Sequence, residues 1–441
     1  MNGEKIANQE TVDDFATLSK EIANTDVTVY ERLNPTNSQA AKEEFLANPE
    51  LVHPNYEYGN LRGDEISRNL TALQGIEAEI RNADLTDSRR RLLNNLATSC
   101  QMKNEFLAIN LAYNSAADPD QKSELAAKHH EMNEALFGKA DEDTFYALLR
   151  EKIDKIAASS PTGEKQQIFE KLLAEIGQLP ENASERFRPQ PETVARFGEL
   201  VNYFFEGFLK HVPADKESFS SDEMVSIINE ILTEEFDDEN VPYCAETKAT
   251  ATNASTNHED RRIYFPEGKN YPAARAKALI VHELGTHAMR AMPYVGHPIS
   301  GLSTNMPGSE SFEEGVAKSV EQAINGKYED SGIDHYINIG LATFKGKNFR
   351  EIFNIQCMLK ELAGVKTDSV FNAVQRCFRG TGELVNNKDL AYYNGANRVW
   401  KYIEEHLDDP ELFDHLFLTG KSDYQDPEQE QLLYEARTKG V

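Results

Sequence analysis

The chain has 441 residues, of which 39% are hydrophobic and 27% charged, and its 74 acidic and 46 basic residues leave a formal charge of −28. Such a composition belongs to a folded protein with one large core or two smaller ones, not to a disordered chain. The acidic excess argues against nucleic acid and against an anionic membrane as partners.

In chain order, residues 1–40 are polar and are expected to form a loose lead-in without the apolar stretch of a signal peptide. Apolar residues then recur with helical spacing through 41–235, as at 38–47, 89–113, 121–136, 144–157 and 191–212. Asp141 and Asp143 stand where an N-cap for the segment beginning near Thr144 belongs. Ser220-Ser221-Asp222-Glu223 opens a helix whose apolar side is Met224, Ile227, Ile228 and Ile231. The aromatic run Tyr203-Phe204-Phe205, with Phe208, reads as helix core. Past an acidic stretch near 235–240, residues 241–252 and 262–266 are rich in β-branched and aromatic residues, and 253–260 between them has loop composition. These predict a small antiparallel sheet or hairpin. Helical spacing returns at Pro272 and continues to about Leu418, broken by a Gly/Pro/Ser-rich loop at 293–309. Residues 421–441 read as a polar tail. The four cysteines, Cys100, Cys244, Cys357 and Cys377, are scattered and are expected to be reduced thiols. No stretch approaches the roughly 18 to 20 apolar residues of a membrane span, so the expected location is the cytoplasm, or outside the cell as an effector exported without a cleaved signal.

The chemistry is concentrated in His282-Glu283-Leu284-Gly285-Thr286-His287. Its flanks, Ala276, Leu279, Ile280, Ala288, Met289 and Met292, suit a buried helix, where unpaired imidazoles and a carboxylate would be costly. A zinc ion held by His282 and His287 would remove that cost and leave Glu283 to activate a water. The usual spacing for such a pair is four residues, about 400° around the helix; here it is five, about 500°. A π-bulge restores the alignment, and Gly285 is the residue suited to accommodate it. A third ligand is expected at Glu314, in Ser311-Phe312-Glu313-Glu314-Gly315-Val316-Ala317, a pattern like the third-ligand helix of zinc aminopeptidases. Glu313 would then support the ligands from behind. His297 competes with Glu314 for the third place. The fold expected is α+β and predominantly helical, with 236–420 as a metallopeptidase core and a small antiparallel sheet beside the zinc-binding helix.

Together, His282 to His287 and Glu313-Glu314-Gly315-Val316-Ala317 resemble the microtubule-associated tyrosine carboxypeptidase family, whose bacterial members carry a Gln-Glu-Gly-Leu-Ala motif. Asn133-Glu134-Ala135-Leu136-Phe137-Gly138, Pro54-Asn55-Tyr56-Glu57-Tyr58, Arg376-Cys377-Phe378-Arg379-Gly380 and Lys388-Asp389-Leu390-Ala391-Tyr392 are similar to its other motifs. The resemblance implies a zinc carboxypeptidase whose substrate is the C-terminus of a peptide or protein. On that reading Arg379 and Lys388 are the cations for a terminal carboxylate, and Tyr392 donates to the carboxylate or to the oxyanion. The strand at 263–265 would then take the substrate as an added strand. The readings that compete are a zinc endopeptidase or aminopeptidase, and a regulatory protein that keeps zinc without catalysis.

Overall fold

A computed structural model describes residues 14–180, 186–236, 242–249, 251, 253–295, 303 and 306–439. Local capping chemistry opens its helices where the sequence signals them. Asp141 accepts from the Thr144 backbone N–H and opens α1 (Glu142–Ala158). Ser220 and Glu223 form a reciprocal capping box at the start of α2 (Ser221–Glu235). Each such cap satisfies backbone donors that a helix end otherwise leaves bare and contributes about 1 kcal/mol. The predicted helix at 191–212 is interrupted: Pro191–Phe204 ends at Phe205, and a short turn, Glu206–Leu209, follows. Phe205 and Phe208 are buried as expected of core, but Tyr203 is 82% exposed.

The expected small sheet exists, and its pairing differs from the hairpin predicted. β1 (Ser218–Ser220) pairs antiparallel with β5 (Asn270–Pro272). A second sheet has the order β2 (Cys244–Lys248), β4 (Arg262–Pro266), β3 (Ser255–Asn257). β2 lies parallel to β4, because the stretch read as a loop between them contains β3, which takes the antiparallel place. β4 is therefore the central strand, with Ile263 and Phe265 fully buried. With both its edges paired, β4 cannot receive a substrate strand; the edge next to it is β3.

α3 (Ala273–Leu279) leads into a π-helical segment, Ile280–Ala288, and a last α-turn, Met289–Ala291. This motif helix packs in the main apolar core with the helix at Pro191–Phe204, α2, the second sheet, α4 (Ser309–Ile324) and α5 (Leu390–His406). A second core joins α1 to Ile333–Lys345, Phe349–Leu362 and Val370–Cys377. α4 and α5 approach so closely that a Cβ on Gly315 would lie 2.3 Å from the Gly395 carbonyl oxygen. That contact brings Glu314 on α4 near Lys388, just ahead of α5. All four cysteines are free, and among the described residues no helix is long and apolar enough to cross a membrane.

Candidate metal centre and cleft

The distortion expected of the motif helix is present and longer than a single bulge, covering nine residues, Ile280–Ala288. The Met289 N–H donates to the Leu284 carbonyl, and the Thr286 hydroxyl to Val281, both five residues back. This winding turns His282 and His287 to one side, with ring centroids 5.1 Å apart. The need for glycine at 285 is steric: a Cβ there would meet the Phe205 ring at 2.6 Å.

One ligand atom from each of His282, His287 and Glu314 lies within 4.8 Å of the others, a group that can hold a metal ion. The donor set fits a cation. His282 Nδ1 is 3.1 Å from Glu321 Oε2 and His287 Nδ1 is 2.6 Å from Glu313 Oε1, so each ring has its Nε2 left for a metal. Glu321 is held in turn by Lys318 at 2.9 Å and by Arg275. Two imidazoles and one carboxylate leave an open coordination position, as zinc enzymes require. Glu283, between the histidines, is buried, and its Oε2 accepts from the Thr256 hydroxyl on β3 at 2.9 Å. His297 lies outside the described residues. Among the described residues the other group of potential ligands is His211, Glu234 and Glu235, whose two exposed carboxylates already pair with Lys210.

Behind His287 lies a buried polar array that the sequence reading missed except for Glu313. Lys421, from the segment expected to be a polar tail, is 2% exposed and pairs with Glu313 and with His258 Nε2, the latter at 2.6 Å. An ammonium only donates, so His258 accepts at Nε2 and carries its proton on Nδ1, toward the Tyr243 hydroxyl at 2.7 Å. Burial and the neighbouring Lys421 charge hold His258 well below its usual range, which keeps it neutral. Burial disfavours the Glu313 carboxylate, but Lys421 and His287 outweigh it and hold Glu313 well below the usual range. Lys421 reaches this place because fully buried Arg290 on the motif helix donates to the carbonyls of Leu416 and Ser422. A lysine in a charged C-terminal stretch carries no local signal of such burial.

The remaining expected residues line the same cleft of about 1630 Å³, along with His282, Glu283, His287 and Glu314. Lys388 Nζ is 3.1 Å from Glu310 and 3.6 Å from Glu314, so its charge is largely matched by carboxylates. Burial opposes the Lys388 ammonium, yet Glu310, Tyr392 and Glu314 raise it well above its usual value. Tyr392 accepts at 3.2 Å from Arg376, which Asp389 holds bidentately at 2.6 and 2.7 Å. Arg379 is only 8% exposed, and among the described residues its guanidinium has no ion pair. Burial lowers its pKa, with Asp389 only partly opposing.

A family model described as microtubule-associated tyrosine carboxypeptidase matches residues 104–441. No curated protein and no solved structure matches the chain.

Proposed function

The chain belongs to the microtubule-associated tyrosine carboxypeptidase family, and from that premise we propose that it is a zinc-dependent carboxypeptidase removing a C-terminal aromatic residue, tyrosine by the family's description. One observation carries this reading: a three-ligand group, a buried glutamate beside it and a cation without an ion-pair partner share one cleft. When bound by His282, His287 and Glu314, zinc supplies Lewis acidity, polarising the scissile carbonyl and acidifying the attacking water.

Glu283 is the general base. Thr256 occupies its Oε2, and Oε1 takes the proton from the water and passes it to the leaving amine. Glu321 and Glu313 fix the two imidazoles in the tautomer that presents Nε2. Lys388, bound to Glu310 and Glu314, orients the third ligand. Arg379 remains for the substrate carboxylate, a role its fork of donors suits. Tyr392 accepts from Arg376, which orients its hydroxyl to donate toward the oxyanion. Ser255 and Thr256 of edge strand β3 line the cleft and supply the edge along which an extended peptide can lie.

A buried cation in the cleft with no ion-pair partner among the described residues, Arg379, favours a carboxypeptidase over an aminopeptidase. The test is mass spectrometry of peptides with free C-termini, incubated with zinc-loaded protein and with Glu283→Gln. Loss of single C-terminal residues by the parent, slowed at least a hundredfold in the variant, is the expected result. Internal cleavage would make the protein an endopeptidase. One equivalent of bound zinc with no cleavage of any peptide would instead support a regulatory zinc protein.

A further inference from the structure

Tyr30 lies ahead of the span matched by the family model, yet it lines the cleft between the general base and the cations. It sits in a single helical turn, Val29–Arg32, whose Val29, with Leu33 just after the turn, packs with Leu61, Ile66, Phe106 and Leu107. Its neighbours are tied to the end of β3 and the loop that follows it. The Thr28 N–H donates to Glu259 at 2.5 Å, Arg32 pairs with the same carboxylate at 3.2 Å, and Asn257 donates to Glu31 at 2.9 Å. The turn is thus clamped on both sides of Tyr30, and such clamping is what a rigid binding group requires.

The Tyr30 ring centroid is 5.2 Å from Lys388 Nζ and 6.0 Å from the Arg379 guanidinium carbon. Among the described residues its hydroxyl has no hydrogen-bond partner, and the half-buried ring lines the cleft, where that hydroxyl can meet a ligand. Burial, followed by the charge of Glu31, raises its pKa, so the phenol stays protonated and can donate. Lys388 is engaged by two carboxylates and Tyr392 by Arg376. With the Tyr392 hydroxyl assigned to the oxyanion, the Arg379 guanidinium and the Tyr30 hydroxyl are donors left for a carboxylate among the described residues here.

We propose that Tyr30 is a substrate-binding residue, its hydroxyl donating to the terminal carboxylate that Arg379 pairs with. The inference rests on the carboxypeptidase reading and extends it, because it makes the N-terminal segment part of the specificity site. It also explains why Arg379 has an aromatic face beside it: the ring shields the ion pair from water while its hydroxyl adds a second donor.

The test measures binding rather than turnover. Zinc-loaded Glu283→Gln protein is titrated with a fluorescent pentapeptide ending in tyrosine, as the free acid and as the C-terminal amide. The expected result is tighter binding of the acid, with Tyr30→Phe in the same background reducing that preference about tenfold or more. Amide binding and the melting temperature should not change, since phenylalanine retains the ring. An undiminished preference in Tyr30→Phe, with Arg379→Met abolishing it, would overturn the role of Tyr30 and leave the carboxypeptidase reading standing. No preference for the acid in the Glu283→Gln parent would remove both.

Discussion

The imidazoles of His282 and His287 depend on residues outside the candidate ligand group. A histidine ring swivels freely unless its second nitrogen is held, and a carboxylate there also raises the donor strength of the first. Glu321 does this for His282, and its charge is matched by Lys318 and Arg275. Burial disfavours the Glu321 carboxylate, but the hydrogen bond from His282 and the charges of Lys318 and His282 outweigh it and hold it far below the usual range. Glu321→Ala is expected to weaken zinc binding 10- to 100-fold, read by competition with a chromogenic chelator. Unchanged affinity, with the fold intact by circular dichroism, would show that Glu321 is only a surface charge partner. Glu321 was not evident from the sequence. It is one of many glutamates on amphipathic helices, and its partner His282 lies 39 positions earlier.

Among elements, the decisive contact is between α4 and α5. Gly315 and Gly395 remove the side chains that would otherwise separate the two backbones; a Cβ on Gly395 would lie 1.9 Å from the Ser311 carbonyl oxygen. The neighbouring residue, Glu314, thereby comes within 3.6 Å of Lys388. Gly315→Ala should push the helices apart, costing about 3 kcal/mol or more through overpacking, and should weaken zinc binding as Glu314 moves. Denaturant melts and zinc titration of the variant check both effects, and normal stability with normal zinc affinity would show that the pair can relax without moving the site. The glycine next to Glu314 was visible in the motif. Its partner 80 positions later was not, because a small residue at a helix crossing leaves no periodic mark.

Over the whole molecule, an acidic chain of net charge −28 folds by giving its buried carboxylates cations at close range. Asp334 illustrates the balance outside the site: it joins Ile333–Lys345 to α1 through Lys152 and to Phe349–Leu362 through Lys360. Burial disfavours its ionised form, yet the charge and hydrogen bond of Lys152, with the hydrogen bond and charge of Lys360, lower its pKa to about 2. The folded value lies below the unfolded one, near 3.9. The stabilisation is therefore complete above about pH 5 and is lost as pH falls from there toward 2. It is worth on the order of 2 kcal/mol. Asp334→Asn should lower stability by that amount at pH 7, and the difference from the parent should shrink toward pH 2. A difference independent of pH would mean that packing, not ionisation, is what the carboxylate supplies.

Local chemistry in the sequence was enough to determine the helical character, the Asp141 and Ser220 caps and the π-helical winding between His282 and His287, and to single out His282, Glu283 and His287 as candidates. Capping and side-chain periodicity depend on residues a few positions apart, and a five-residue histidine spacing can meet one metal only if the helix is distorted. The sheet's pairing, the burial of Lys421 and the arrival of Tyr30 at the cleft were decided by the tertiary structure alone. Strand order follows from which edge the chain can reach, so the β3 turn inside a loop-like stretch made β2 and β4 parallel. Lys421 is buried because Glu313 and His258 meet it there, and Tyr30 reaches the cations because Glu259, 229 residues later, holds its turn. In each case the partner is distant in sequence, and the free energy that fixes the residue exists only once the chain has closed around it.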